Sequence, residues 1–558
     1  MSAASGSIEE LFAEGSPLEQ ALDGFAPREG QAAMAGAIVD AMEAGENLVV
    51  EAGTGTGKTL AYLIPALLSG RRVILSTGTK TLQDQLFHRD LPMVSAALGR
   101  PAKTVLLKGR ANYLCLHRLN SAVSENYKEL KTELGIIRSW SLTTRSGDVA
   151  EVGGIGERSP IWPLVTSTVD NCLGTRCDLY EECHVVTARQ AAKAAEIVVV
   201  NHHLLLADLV LKEEGFGDLL PGSETVIIDE AHQFPDTAQM FFNINLSSRS
   251  LQDMANDLHG EMLAYAPADA AVNKLPDSLV RTAQDARIFL GARSTRGGSN
   301  SSLMWDDIGS DFSAALDQCV EALDEVIIWV DAQGDPGPGL QRCKERASNA
   351  IETIESIMSA DETAGLRWIG LTPRGFVLNY TPVEVAESLS KLLDAQDCSW
   401  VFTSATLAVK NDFTHFINRL GLHDPRTLHI ESPFDYPQVG RLFLPSGMPQ
   451  PSADTFTKNM LDKLRPLVDA ADGRAFLLFT SHRALREAAD ILRADPSFDY
   501  PLLVQGEAPR SKLLEQFVEE DNPVLLGTAS FWEGVDMRGD RLVLVAIDRL
   551  PFASPGDP

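Results

Sequence analysis

Short apolar runs alternate with amphipathic stretches along the first hundred residues. The runs lie at 47–51, 72–76 and 103–107, and the segments 31–43 and 59–68 carry apolar residues at helical spacing. Strand-like runs separated by helical segments predict a parallel sheet with helices on both faces. The alternation breaks between 109 and 187, resumes at 197–201 and 225–229, breaks again between about 240 and 390, and returns at 400–404. A second alternation begins near 410, with runs at 475–479, 502–504, 524–527 and 542–547. The pattern predicts an α/β chain with two parallel-sheet domains, the first interrupted twice. The second interruption reads as helix-rich, with helical spacing at 315–330 and 346–357 and exposed loops at 293–302 and 331–339.

Composition narrows this. The chain has 558 residues, enough for several domains, and 44% hydrophobic with 22% charged residues excludes global disorder. No apolar run approaches the ~18 residues of a membrane helix, and the N-terminus lacks the basic and apolar regions of a secretory signal. Seven cysteines are too few for a disulfide scaffold, so a reducing, cytoplasmic compartment is expected. Against 48 basic residues stand 77 acidic ones, a net charge of −29. Such a chain is no general polyanion binder, and nucleic acid would have to run in a local basic groove.

Candidate chemistry begins at Ala52-Gly53-Thr54-Gly55-Thr56-Gly57-Lys58-Thr59, after a predicted strand and at the start of a predicted helix. Glycines let backbone N–H groups turn inward around a phosphate, Lys58 adds a charge on the β and γ oxygens of ATP, and the Thr59 hydroxyl can bind Mg²⁺. The general pattern starts with Gly where this chain has Ala52. Downstream, the apolar run 225–229 delivers Asp229 for Mg²⁺ and Glu230 as base for the attacking water, within Asp229-Glu230-Ala231-His232. The two strings together point to ATP hydrolysis.

Cys115 precedes a loose triplet, Cys172-x4-Cys177-x5-Cys183, by 56 intervening residues. Structural zinc usually takes paired short knuckles, whereas one cysteine plus a spread triplet suits a cuboidal iron–sulfur cluster. Zinc, and thiols that bind nothing, are the alternatives. Lys103, Lys108, Arg110, Arg118, Arg138 and Arg145 interleave with Tyr113 and Trp140. That mixture suits a single-strand track of charge and stacking faces, while packing at a core edge is the competing reading. His202 and His203 are adjacent and would point to opposite sides of an element, which argues against a shared metal.

The strings VEAGTGTGKT, Ser76-Thr77-Gly78-Thr79, the Asp229–His232 box, Thr403-Ser404-Ala405-Thr406 and Gly527…Glu533-Gly534-Val535-Asp536 resemble superfamily 2 helicases. LKGRANYLC (107–115), VVVNHHLLLADL (198–209), SPFDYPQ (432–438), SFWEGVDMRGD (530–540) and LPFASPGDP (550–558) narrow the resemblance. They resemble the XPD-like iron–sulfur branch and, within it, the bacterial DinG/YoaA family, on its YoaA side. The resemblance implies two RecA-like motor domains. The first would comprise 1–108, 188–240 and 391–409, interrupted by an iron–sulfur domain at 109–187 and a helical arch at 241–390; the second would be 410–558. It implies a [4Fe–4S] cluster on the four cysteines and adenine reading by Arg28 and Gln31 after Phe25. Gly534 and Asp536 would join the nucleotide site, and His232 and Thr406 would couple hydrolysis to DNA grip.

The activity implied is that of an ATP-dependent 5′→3′ helicase on single-stranded and forked DNA, in repair and replication-fork maintenance. It would be a cytoplasmic monomer with a possible replication or repair protein partner and no membrane association. The family also implies a final Q-x-x-G-R-x-x-R motif, and no such string precedes Pro558. Loss of an arginine finger costs ~10³–10⁵ in rate. The expectation is therefore a C-terminally truncated chain with impaired turnover. Its rivals are a non-catalytic clamp for ATP and nucleic acid and a zinc-stabilised ATPase acting on protein.

Overall fold

The computed structural model describes residues 8–22, 25–125, 130–156, 159–213, 218–291, 301–305, 308, 310–361, 363–372, 374–528, 531–532, 535, 537, 539–550 and 552. They form two units, Met1–Phe434 and Asp435–Asp557. In chain order the first unit holds β1 (Leu48–Ala52), β2 (Val73–Thr77), β3 (Thr104–Leu106), β4 (Ile197–Asn201), β5 (Thr225–Asp229), β6 (Ile244–Ser247), β7 (Ser301–Met304), β8 (Gly365–Leu371), β9 (Phe376–Pro382), β10 (Ser399–Ser404) and β11 (Arg426–Ile430).

Seven of these strands make one parallel sheet in the order β11-β1-β10-β5-β2-β4-β3. Its inner strands are largely buried on both faces, which is why they read as mainly apolar runs. Successive residues feed opposite layers. Val401 packs with Met34, Ile38 and Leu63 on one face, whereas Trp400 and Phe402 pack with Leu206 and Phe234 on the other. No described helix is long and apolar enough to cross a membrane.

Two excursions leave this sheet. The first carries helices Leu116–Glu125 and Lys131–Ser141 over a small core that includes Leu114, Leu119, Ile137, Ile161 and Val165. The second contains four long helices, Ser248–Tyr265, Ala271–Gly291, Ser310–Asp331 and Gly337–Ser359. Asp257, on the first of these, accepts hydrogen bonds from Arg118 of the first excursion (3.0 Å) and from Arg346 (2.7 Å). Arg342 donates to the carbonyls of Val169 (2.5 Å) and Asp170 (2.6 Å), tying the two excursions a second time.

Three expectations need correction. The segment 241–390 is not only helical: β6, β9, β8 and β7 form an antiparallel sheet in that order. Only one face of β8 and β9 joins the buried core, through Ile369, Leu371, Phe376 and Leu378, and on the other Gly370, Asn379 and Thr381 interrupt Leu366, Trp368 and Val377. Residues 301 and 302, expected in a loop, belong to β7, and 293–300 lie outside the described residues. The boundary expected at 410 also moves. β11 pairs with β1 from Leu48↔Arg426 to Ala52↔Ile430, so the first unit runs on to Phe434.

The second unit is a parallel sheet of β12 (Ala475–Leu478), β13 (Leu502–Val504), β14 (Val524–Gly527) and β15 (Leu544–Ile547), ordered β13-β14-β12-β15. Phe476 and Leu478 face Phe517 and Phe531 on one side, and Ala475 and Leu477 face Leu485 and Ala489 on the other.

Phe402 is fully buried, with ring centroids 6.1 Å from Phe234 and 5.9 Å from Phe416. Phe402→Ala should destabilise the first unit by about 3–5 kcal/mol. A urea titration that leaves its transition unmoved would contradict this packing.

Candidate functional site

The phosphate-type loop leaves β1 at Ala52 and enters helix Lys58–Leu68. Ala52 is a buried strand residue with ordinary backbone, so the position needs no glycine. Gly55 and Gly57 do, because both have φ of +85°. A Cβ on Gly57 would also sit 2.3 Å from the Gln31 amide nitrogen, and one on Gly53 2.6 Å from the Ser432 backbone nitrogen. The loop's carbonyls are occupied. Gln31 donates to Gly57 O (3.0 Å), Ser432 Oγ to Thr54 O (2.7 Å), Thr56 Oγ1 to Gly53 O (2.6 Å), and Arg28 to Gly55 O. Lys58 Nζ rests 3.3 Å from Ala52 O. Gly57 brings no capping side chain, so the first N–H groups of the helix are available to an anion. Arg28 and Gln31 therefore meet the loop itself, while Phe25 packs toward Phe12 (6.4 Å).

β5 ends at Asp229, which is nearly buried. Glu230 follows with φ of +53°, a left-handed conformation that costs a non-glycine residue about 1–3 kcal/mol and is typical of functional turns. Asp229 Oδ2 accepts from the Tyr62 hydroxyl (2.9 Å) and Oδ1 from the Glu230 N–H (3.0 Å). Burial raises the Asp229 carboxyl above its usual range, and the adjacent Glu230 charge adds to this. Burial opposes ionisation of Glu230 too, but the His232 hydrogen bond and the Lys58 charge hold it below the ordinary range. Tyr62 is kept protonated, first by burial and then by the Asp229 charge, and its hydroxyl also meets that of Thr59. Lys58, Thr59, Asp229 and Glu230 thus form one constellation. Two carboxylates with separated proton affinities can divide metal binding from base chemistry.

Neighbouring loops close on it. His232 Nδ1 lies 2.9 Å from Ser404 Oγ and 3.4 Å from Glu230, and Thr406 N–H reaches Ser404 Oγ at 3.4 Å. His202 is buried, 2.8 Å from Ser76 Oγ and edge-on to Phe234, whereas His203 is exposed, as adjacent positions require. A Cβ on Gly78 would strike the Gln233 side chain at 2.1 Å. Gly534 and Asp536 lie outside the described residues. The sequence reading missed Tyr62, whose signal was a hydroxyl one helical turn after Lys58 in an otherwise apolar helix.

Cys115, Cys172, Cys177 and Cys183 line one cavity of about 380 Å³, with Arg110 and Arg189 on its wall. Burial raises the thiols of Cys115 and Cys177, and their sister thiols add to the effect. Among the described residues, no group of three or more His, Cys, Asp or Glu is arranged to hold a metal ion.

The expected single-strand track is partly consumed by packing. Lys108 is buried between Asp84 (3.0 Å) and Asp148 (2.8 Å), Arg118 is bound to Asp257, and Tyr113 and Trp140 belong to the interior or its edge. Lys103, Arg138 and Arg145 remain exposed.

A parallel α/β sheet with a glycine-rich loop at one strand end and an Asp-Glu pair two strands away defines a phosphate-loop ATPase of the RecA-like kind. A DEAD/DEAH box helicase model matches residues 31–114, and a helicase C-terminal domain model matches 464–558. The ATP-dependent DNA helicase YoaA of Escherichia coli K12 is 44% identical over 98% of this chain and 86% of its own length. The ATP-dependent helicase DinG of Mycobacterium tuberculosis H37Ra is 32% identical over 99% and 85%. A solved XPD helicase shares the fold at 14% identity, with a TM-score of 0.52 over 95% of this chain and 86% of that one. The chain belongs to the YoaA/DinG helicase family.

Burial lowers the His202 imidazole from 6.5 to about 3. Between those values the unfolded chain takes a proton that the folded chain refuses, so stability falls as pH drops below about 6.5. His202→Gln removes this component. Its urea midpoint should shift less between pH 7 and 5 than that of the native chain, and equal shifts would acquit His202.

Proposed function

We propose that the chain is an ATP-dependent DNA helicase moving 5′→3′ along single-stranded DNA, acting in repair and at replication forks. The observation that carries this is the Lys58, Thr59, Asp229 and Glu230 constellation, in a chain 44% identical to a relative named an ATP-dependent DNA helicase. The loop 52–59 cradles the phosphates, with Lys58 on the β and γ oxygens. Thr59 and Asp229 hold Mg²⁺, which when bound offsets charge on the transferring phosphoryl group. Glu230, kept ionised, accepts a proton from the attacking water. Arg28 and Gln31 bridge the adenine side to the loop. His232 and Thr406 report the state of the nucleotide to the DNA path.

The four cysteines are the ligands of a [4Fe–4S] cluster. Their convergence on one cavity supports this, since four thiolates are its usual donor set. Bound there, the cluster would staple a segment with only a small core of its own. On this reading 109–187 is the iron–sulfur domain and 241–390 the arch, with its added sheet. The substrate is single-stranded and forked DNA, with a replication or repair protein as partner. The protein is a cytoplasmic monomer.

Lys58→Ala should lower ATP hydrolysis by roughly 10²–10³-fold while leaving iron content unchanged. Turnover that survives the change would refute the phosphate role. Cys172→Ser should lose iron and visible absorbance, and unwinding should go with them before DNA-independent hydrolysis does. Full iron content in that variant would remove the thiol from the ligand set.

A further inference from the structure

Glu51 interrupts an otherwise apolar strand, one residue before the phosphate loop. β1 lies between β10 and β11, and in its register Glu51 stands opposite Ser404 on one side and His429 on the other. Its side chain is 14% exposed. Oε2 accepts the backbone N–H groups of both Leu407 and Ala408, the latter at 2.6 Å, and Oε1 faces His429 Nε2 at 3.3 Å. The carboxylate therefore captures the turn that leaves β10 immediately after Thr406. The same segment is held at its other end by Ser404, which bonds His232. A row of polar contacts thus runs across the sheet edge from His429 through Glu51 and the 404–408 segment to His232 and Glu230.

A carboxylate is costly to bury in a strand, and satisfying two amides is a small return for it. Two charge-assisted hydrogen bonds from one oxygen do give a stiff link. A shift of the loop on nucleotide binding would reach residues 404–408 through that link without passing through solvent. We infer that Glu51 is a positioning residue that locks the Thr406 turn to the phosphate-loop strand, so that nucleotide state and strand movement stay coupled. The inference rests on the helicase reading and adds to it a role for Glu51 distinct from phosphate and metal binding.

The test uses the full chain with Glu51→Ala and Glu51→Gln. Glutamine can offer one amide oxygen to the same two N–H groups and turn its amino group to His429, so it keeps the geometry without the charge. In Glu51→Ala, hydrogen exchange at the Leu407 and Ala408 amides should speed up by about tenfold. The increment in ATP turnover caused by single-stranded DNA should fall about tenfold, with KM for ATP within about twofold of native. Glu51→Gln should stay near native in both.

Native exchange in Glu51→Ala, an equal proportional loss of DNA-independent and DNA-stimulated turnover, or a glutamine variant as damaged as the alanine one would overturn the inference. If native turnover ignores single-stranded DNA, the helicase reading fails instead. The exchange measurement then decides the role of Glu51 by itself: faster exchange sustains it and native exchange ends it.

Discussion

The chemistry of this chain depends on one hydrogen-bonded strand, β10, lying parallel between β1 and β5. Only through it do the phosphate loop and the acidic strand end become near neighbours, because β1 and β5 do not pair with each other. The chain leaves β5 at Asp229 and supplies β10 only from Ser399 onward, after the second excursion. Closing so long a loop is tolerable because the excursion is itself folded, on a core of four helices and a sheet. Trp400 and Phe402 then anchor β10 from one face and Val401 from the other.

On that frame the polar groups at the sheet edge are arranged in pairs, each joining a strand end to a helix or turn. Tyr62 meets Asp229, Ser76 meets His202, and Ser404 meets His232. Each pair joins residues far apart in sequence, and each satisfies a group that burial would otherwise penalise. Burial makes Asp229 retain its proton more readily, whereas the His232 hydrogen bond and the Lys58 charge overcome the same burial at Glu230 and hold it ionised. The two acids are thus separated by their neighbours as much as by the packing behind them.

What was legible in the sequence follows the same physics. β4, β5 and β14 span the runs read from the sequence, since strands buried on both faces advertise themselves as continuous apolar stretches. The glycine loop was legible because backbone geometry there admits no other residue at Gly55 and Gly57. β11, Arg-Thr-Leu-His-Ile, was not, being an edge strand with two exposed residues and a mixed pattern. The β8–β9 hairpin was hidden by its half-polar face. Charge was the least legible property. Lys108 and Arg118 read as candidates for phosphate, but their partners Asp84, Asp148 and Asp257 could be known only from the fold. Glu51 and Tyr62 were visible as oddities of pattern, yet their meaning lay in the strands and loops brought beside them.

The forked contacts around Asp257 and the Arg342 bonds have a mechanical corollary. Two appendages that leave the sheet at distant points along the chain are riveted to each other as well as to their base. They make a closed bracket rather than two free arms. A load applied to either appendage is borne by both, and a polyanion that competed for the guanidinium groups would unfasten the bracket from within.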